Sequence, residues 1–124
     1  MKILLVEDNH ILLSTLESLL ESDGHSVRVA MNGIAAYRLV KSGSQFDAII
    51  TDMQMPCGTG LDFIELLHQD GETIPCRLHS GNDFFIKDGK RIDLADSLMP
   101  YPFASYASKA QFGHIEAFLN GIKK

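Results

Sequence analysis

Phe46, Asp47, Ala48, Ile49, Ile50, Thr51, Asp52, Met53, Gln54, Met55, Pro56, Cys57, Gly58, Thr59, Gly60 and Leu61 form the stretch from which the fold is read. It opens on an apolar run too short for a helix, and a carboxylate closes that run just before Pro56, Gly58 and Gly60. Such a run is a buried strand with Asp52 held at its mouth. In an open α/β sheet, ligands bind outside the carboxyl ends of the strands, which is where this spacing puts Asp52. A lone Asp would read as a turn residue. A second acidic site upstream changes that.

Upstream, residues 3–6 are continuously apolar, as suits a central parallel strand covered on both faces, and the run ends at Glu7 and Asp8. From Asn9 the period changes. Leu12, Leu13, Leu16, Leu19 and Leu20 recur at helical spacing, with Asn9 as N-cap and Gly24 as stop. Residues 27–30 are expected as a second strand and 34–41 as a short helix closed by Gly43. The central strand is expected over 46–51. After Asp52, Phe63, Ile64, Leu66 and Leu67 predict a helix over 61–69, ending near Gly71. Strand and helix have then alternated three times, which is the signature of a doubly wound parallel sheet with helices on both faces.

Farther on the regularity weakens. Residues 74–79 are expected as the fourth strand, yet Arg77 and His79 fall on one face, opposite Cys76, Leu78 and Ser80. Between 84 and 94 an Asp88-Gly89 pair separates two segments with apolar residues, a hairpin signal rather than a helix signal. Pro100 and Pro102 interrupt regular structure until about Phe103. A short fifth strand through Tyr106 and a last helix over 111–122, with Phe112, Ile115, Phe118, Leu119 and Ile122 on one face, complete a five-stranded α/β domain. No repeat, low-complexity tract or linker divides 1–124, so one domain is expected.

The 124 residues are 45% apolar and 22% charged, enough for one globular domain with a real core. A net charge of −5 argues against direct nucleic-acid binding, which needs a basic patch. No apolar run approaches the length of a membrane span. Cys57 and Cys76 stand in no metal-ligand or redox spacing, and a cytoplasmic location is expected.

Doubly wound topology brings the ends of the first and third strands side by side, so Glu7, Asp8 and Asp52 are expected to converge. Three carboxylates at one point raise each other's pKa unless a cation sits among them. Mg²⁺ suits such a site, taking hard oxygen ligands and few protein carboxylates. On these residues alone a solvated acidic rim stays open as the alternative.

Leu4, Leu5, Val6, Glu7, Asp8 and Asn9, then Asp52, Met53, Gln54, Met55 and Pro56 with Gly60 and Leu61, then Ser80, and finally Tyr106 to Lys109, give the chain its resemblance to the receiver domain of two-component response regulators, the CheY-like family. The resemblance implies a flavodoxin-like sheet of order 2-1-3-4-5. It implies that Asp52 is a phospho-acceptor, taking its phosphoryl group from a histidine kinase or histidine phosphotransferase. Asp8, Asp52 and the main-chain carbonyl of Gln54 would hold Mg²⁺, with Glu7 reaching it through water. Lys109 would supply a second cation, Ser80 would give its hydroxyl to a phosphoryl oxygen, and Tyr106 would be the aromatic switch that reports the event. Such a domain is a signalling module rather than an enzyme, catalysing at most its own phosphorylation and dephosphorylation. Its output would be an altered protein contact or a phosphoryl relay to another protein.

Departures from the family carry their own expectations. Ala110 stands where receivers have a cis proline, so the Lys109 to Ala110 peptide is either trans or strained, and the aim of Lys109 is open. Twenty-nine positions separate Ser80 from Lys109, more than receivers normally use. The fourth helix is expected to be lost or shortened, with a β-hairpin and an irregular segment in its place. Losing that cover would explain the polar face of the fourth strand, with Asp93 or Asp96 pairing Arg77. Two other functional classes compete with a phosphorylatable receiver. One is a pseudo-receiver, a binding module that signals without phosphate. The other is a phosphatase or phosphotransferase, opposed by Gln54 at the position where such enzymes carry a general-acid Asp.

Overall fold

In the computed structural model, which describes residues 1–110 and 113–122, the first half follows the predicted alternation. β1 (Lys2–Val6), α1 (His10–Ser22), β2 (Ser26–Ala30), α2 (Gly33–Lys41) and β3 (Ala48–Asp52) succeed one another. Asn9 starts α1 by accepting from the backbone N–H groups of Ile11 and Leu12. β3 runs into a two-residue ladder, β4 (Gln54–Met55) against β5 (Gly58–Thr59), and then α3 (Gly60–Gln69). A capping box between Thr59 and Asp62 sets the start of α3.

After β6 (Cys76–Ser80) the chain forms an antiparallel hairpin of β7 (Phe84–Lys87) and β8 (Lys90–Asp93). Asp88 and Gly89 both take positive φ, +53° and +75°, as a two-residue hairpin turn requires. Phe85 packs against the core, and Arg91 lies over the Phe84 ring at 4.2 Å while bridging Asp83 and Asp93. A single short helix follows, α4 (Leu94–Leu98), and its Leu94 and Leu98 are buried. The expected substitution of a hairpin and a shortened helix for the fourth helix is therefore what the fold contains. β9 (Ala104–Ser108) and α5 (Gly113–Asn120) close the chain. Gln111 and Phe112, predicted as the start of the last helix, lie outside the described residues.

The five long strands form one parallel sheet in the order β2-β1-β3-β6-β9, which is the predicted 2-1-3-4-5 order. β3 sits in the middle with all five residues buried. Alternate side chains feed two core layers. On one face Leu4, Val6, Ile49 and Leu78 meet Phe63, Ile64 and Leu67 of α3 and the two leucines of α4. On the other, Ile3, Leu5 and Ile50 meet Leu13, Leu16 and Leu20 of α1 with Ile115 and Leu119 of α5.

The expected partner of Arg77 is corrected by this layering. Arg77 faces α5, where its Nη1 lies 3.4 Å from Nδ1 of His114 and its guanidinium stacks over Phe118 at 4.8 Å. Asp93 is engaged by Arg91, and Asp96 sits on α4, which packs on the opposite face. The polar residues of β6 are covered by a helix after all, one that brings its own histidine to meet them.

Candidate functional site

The carboxyl ends of β1 and β3 lie side by side, with Val6 in register with Thr51. Glu7 and Asp8 follow β1 directly and Asp52 ends β3. One oxygen from each of the three lies within 4.8 Å of the others, so the predicted convergence is real. Glu7 and Asp52 are buried and Asp8 is half-buried.

Lys109 enters from the far side. β9 pairs with β6 so that Ser108 lies opposite Ser80, and the Lys109 N–H donates to the Ser80 carbonyl at 2.7 Å. This places the ammonium 2.9 Å from Oδ1 of Asp52 and 3.2 Å from Oε1 of Glu7. The Lys109 to Ala110 peptide is trans, since no cis bond occurs among the described residues. The register of β9 settles the aim that Ala110 left open. Burial pulls the Lys109 ammonium down, but its contacts with Asp52 and Glu7 prevail and hold it above its ordinary value.

Glu7 is the electrostatically stressed member. Burial pushes its carboxyl up to about 7; the Asn9 N–H bound to Oε2 at 3.1 Å opposes this, and the neighbouring Asp52 charge adds to it. Oδ1 of Asp52 also accepts the Met53 N–H at 2.8 Å. Three carboxylates gathered at one point, two of them buried, with the Lys109 ammonium to offset them, fit a divalent cation of the Mg²⁺ kind.

The other predicted residues fall around this centre. Ser80 is buried at the end of β6, its Oγ accepting the Asn82 N–H at 3.3 Å. Gln54 opens β4 two residues beyond Asp52, opposite Thr59, with its side chain exposed. Tyr106 sits one strand away, opposite Leu78 on β9, half-buried against the core. The sequence reading named Gly60 only as part of the motif and His79 only as a polar residue of the fourth strand, and missed the place of each in the fold. Gly60 begins α3 tightly against the Asp52 carbonyl and Leu78, so that a Cβ there would lie 2.6 Å from Leu78 Cδ1. His79 of β6 lies in register with Asp52, its ring 4.9 Å from that of His114. Nothing local marks either role, because both depend on which strands and helices meet.

With this geometry in hand, likeness to known proteins is informative. The family profile described as response regulator receiver domain matches residues 3–98. The transcriptional regulatory protein TctD of Salmonella typhimurium is 32% identical over 104 residues, 83% of this chain and 46% of TctD. The response regulator MprA of Mycobacterium avium is 30% identical over 105 residues, covering 84% and 46%. The chain thus spans about half the length of the curated relatives it matches. Among solved structures, a response regulator receiver protein from Pseudomonas putida superposes with a TM-score of 0.80 at 21% identity, covering 96% of this chain and 94% of that one. Response regulator TrrA of Thermotoga maritima, solved in complex with Mg(2+)-BeF, gives 0.79 at 21% identity and covers 98% of each. At such identities these structures speak for the fold alone, including β9 and α5, which lie beyond the profile match. No helix among the described residues is long and apolar enough to cross a membrane.

Proposed function

The chain belongs to the response regulator receiver domain family of two-component signalling, and from that premise we propose that it is a phosphorylatable receiver whose acceptor is Asp52. The observation that carries this reading is the meeting of Lys109 with Asp52 at 2.9 Å inside the cluster of Glu7, Asp8 and Asp52. A carboxylate oxygen of Asp52 attacks the phosphorus of a phosphohistidine on a histidine kinase or histidine phosphotransferase. The O–P bond forms as the P–N bond breaks, and the departing imidazole keeps the electron pair and takes up a proton. Lys109 offsets the charge gathering on the phosphoryl oxygens. Asp8, Asp52 and the main-chain carbonyl of Gln54 would hold Mg²⁺, with Glu7 reaching it through water; the ion supplies charge neutralisation where two negative species must approach.

Once the group is on Asp52, the Ser80 hydroxyl turns from the Asn82 N–H to a phosphoryl oxygen, and Tyr106 responds from β9. Residues 1–124 act as one receiver unit in the cytoplasm. The output is an altered protein contact or onward relay of the phosphoryl group, without direct nucleic-acid binding.

Incubating the protein with Mg²⁺ and a small acyl phosphate, followed by intact-mass measurement, tests this. Wild type is expected to gain one phosphoryl group and Asp52→Asn none. An unmodified wild type, under conditions that modify a control receiver, overturns the proposal in favour of a pseudo-receiver that binds partners without phosphate.

A further inference from the structure

At the amino ends of β6 and β9, opposite the acid cluster, lies a groove that the phosphoryl chemistry does not use. It runs between the C-terminal end of α3 and the turn before β9, has a volume of about 490 Å³, and is lined by His68, Gly71, Glu72, Thr73, Pro102 and Phe103. The shortened α4 accounts for the turn. That helix stops after five residues, and the chain returns to the sheet through Pro100 and Pro102, which cannot extend it.

The turn is pinned along its length. The Tyr101 N–H donates to the Leu98 carbonyl, the Ala104 N–H to the Tyr101 carbonyl and the Cys76 N–H to the Phe103 carbonyl, each at 2.9 Å. Tyr101 and Phe103 both pack against the core. His68, in the last turn of α3, meets the Tyr101 ring edge-on at 5.2 Å and lies within 23° of parallel to Phe103 at 6.3 Å. The three rings are thus ordered before anything binds, which spares a ligand that cost.

The charge around these rings is negative. Glu72 lines the groove, and Glu65, one helical turn before His68, shares its face of α3. The Tyr101 hydroxyl feels that second acid: burial raises its pKa first, and the Glu65 charge raises it further. α3 also ends here, with the negative end of its macrodipole. Among the described residues no lysine or arginine lines the groove, and Lys41 on α2 is held by Asp70 at 3.3 Å.

We propose that this groove takes an arginine side chain from a basic segment of a partner protein. The aromatic faces attract the guanidinium, its aliphatic stem covers the apolar lining, and Glu72 and Glu65 supply the counter-charge. Arginine fits better than lysine, because a planar, weakly hydrated cation stacks on rings that a compact ammonium leaves uncovered. The chain's net charge of −5 favours approach of a basic partner. The site is remote from Asp52, so binding does not depend on phosphorylation of that residue.

Amide NMR of the unphosphorylated full chain, titrated to roughly 10 mM with the peptide acetyl-Leu-Arg-Leu-amide, tests the proposal. The Gly71 and Phe103 amides are expected to shift together with a Kd on the order of 1 mM, while Asn9 and Gly81 beside the acid cluster stay still. The same peptide with citrulline, a neutral isostere, in place of arginine should bind on the order of tenfold more weakly. Glu72→Gln should weaken the arginine peptide about threefold. Phe103→Leu, which keeps an apolar side chain but removes the ring, should weaken it as well. An absence of shifts overturns the proposal, as do shifts scattered over the acidic surface. Equal binding of the citrulline peptide overturns it too, since the groove would then be an apolar site indifferent to charge.

Discussion

At Gly60 the close approach of α3 to β3 leaves no room for a side chain. A methyl group there would press on the Asp52 carbonyl and on Leu78 Cδ1, and backbone cannot yield as a flexible side-chain tip can. Gly60→Ala is therefore expected to cost about 1–3 kcal/mol of stability and to slow phosphorylation by shifting Asp52. Gly81 is the comparison, because nothing lies within 4 Å of the Cβ it lacks; Gly81→Ala should stay within about 0.5 kcal/mol of wild type. Urea midpoints for the two variants check the contrast. Gly60 was visible in the sequence as part of the motif after Asp52. Its steric duty was not, since Leu78 comes from a strand that only the fold brings near.

At the scale of elements, β6 and α5 meet through a cluster of bases. His79 is held at about 4, chiefly by burial, then by His114 and Lys109. Burial, followed by the charge of Arg77, also lowers His114. A histidine whose folded pKa lies below its ordinary 6.5 contributes stability in full above 6.5, and loses it as pH falls towards 4. The His79 contribution should fall across that window, where that of Glu7 runs the other way, and His79→Gln should lose less stability than wild type as pH falls; thermal midpoints of the two proteins against pH measure the difference. The hairpin was legible because Asp88-Gly89 is a local signal, and a turn that needs two positive φ values advertises itself. The cover over Arg77 was not legible. A strand pattern shows which residues share a face, but the helix that lands on that face is decided by the topology of the whole sheet.

Across the whole molecule, the site draws on residues spread from Glu7 to Lys109, so its electrostatics are felt in global stability. Glu7, raised to about 7 from 4.5, binds a proton more tightly folded than unfolded. In chelator its contribution is greatest below about pH 4.5 and falls as pH rises to about 7. Glu7→Gln should remove that slope. Added Mg²⁺ should stabilise wild type most above the window, by roughly 2.7 kcal/mol at a hundred times its Kd, and Asp52→Asn much less. Denaturant titrations with and without Mg²⁺ would check all of this. Most of the architecture could be anticipated, because doubly wound topology leaves few choices once the acids mark the strand ends. The partner of Ser80 and the aim of Lys109 were beyond reach, being consequences of the β6 to β9 register.

That register also separates what the chain between the two strands does from where the strands end. Ser80 and Lys109 are joined by a 2.7 Å backbone hydrogen bond, so the sheet holds them together whatever path the intervening residues take. For protein engineering, the tip at Asp88 and Gly89 is then a port. A reporter domain inserted between them lengthens a loop whose closure is already secured, and extra loop length costs little, about 0.6 kcal/mol per doubling. The graft should leave Lys109 within reach of Asp52, and intact-mass phosphorylation of the fusion would confirm it.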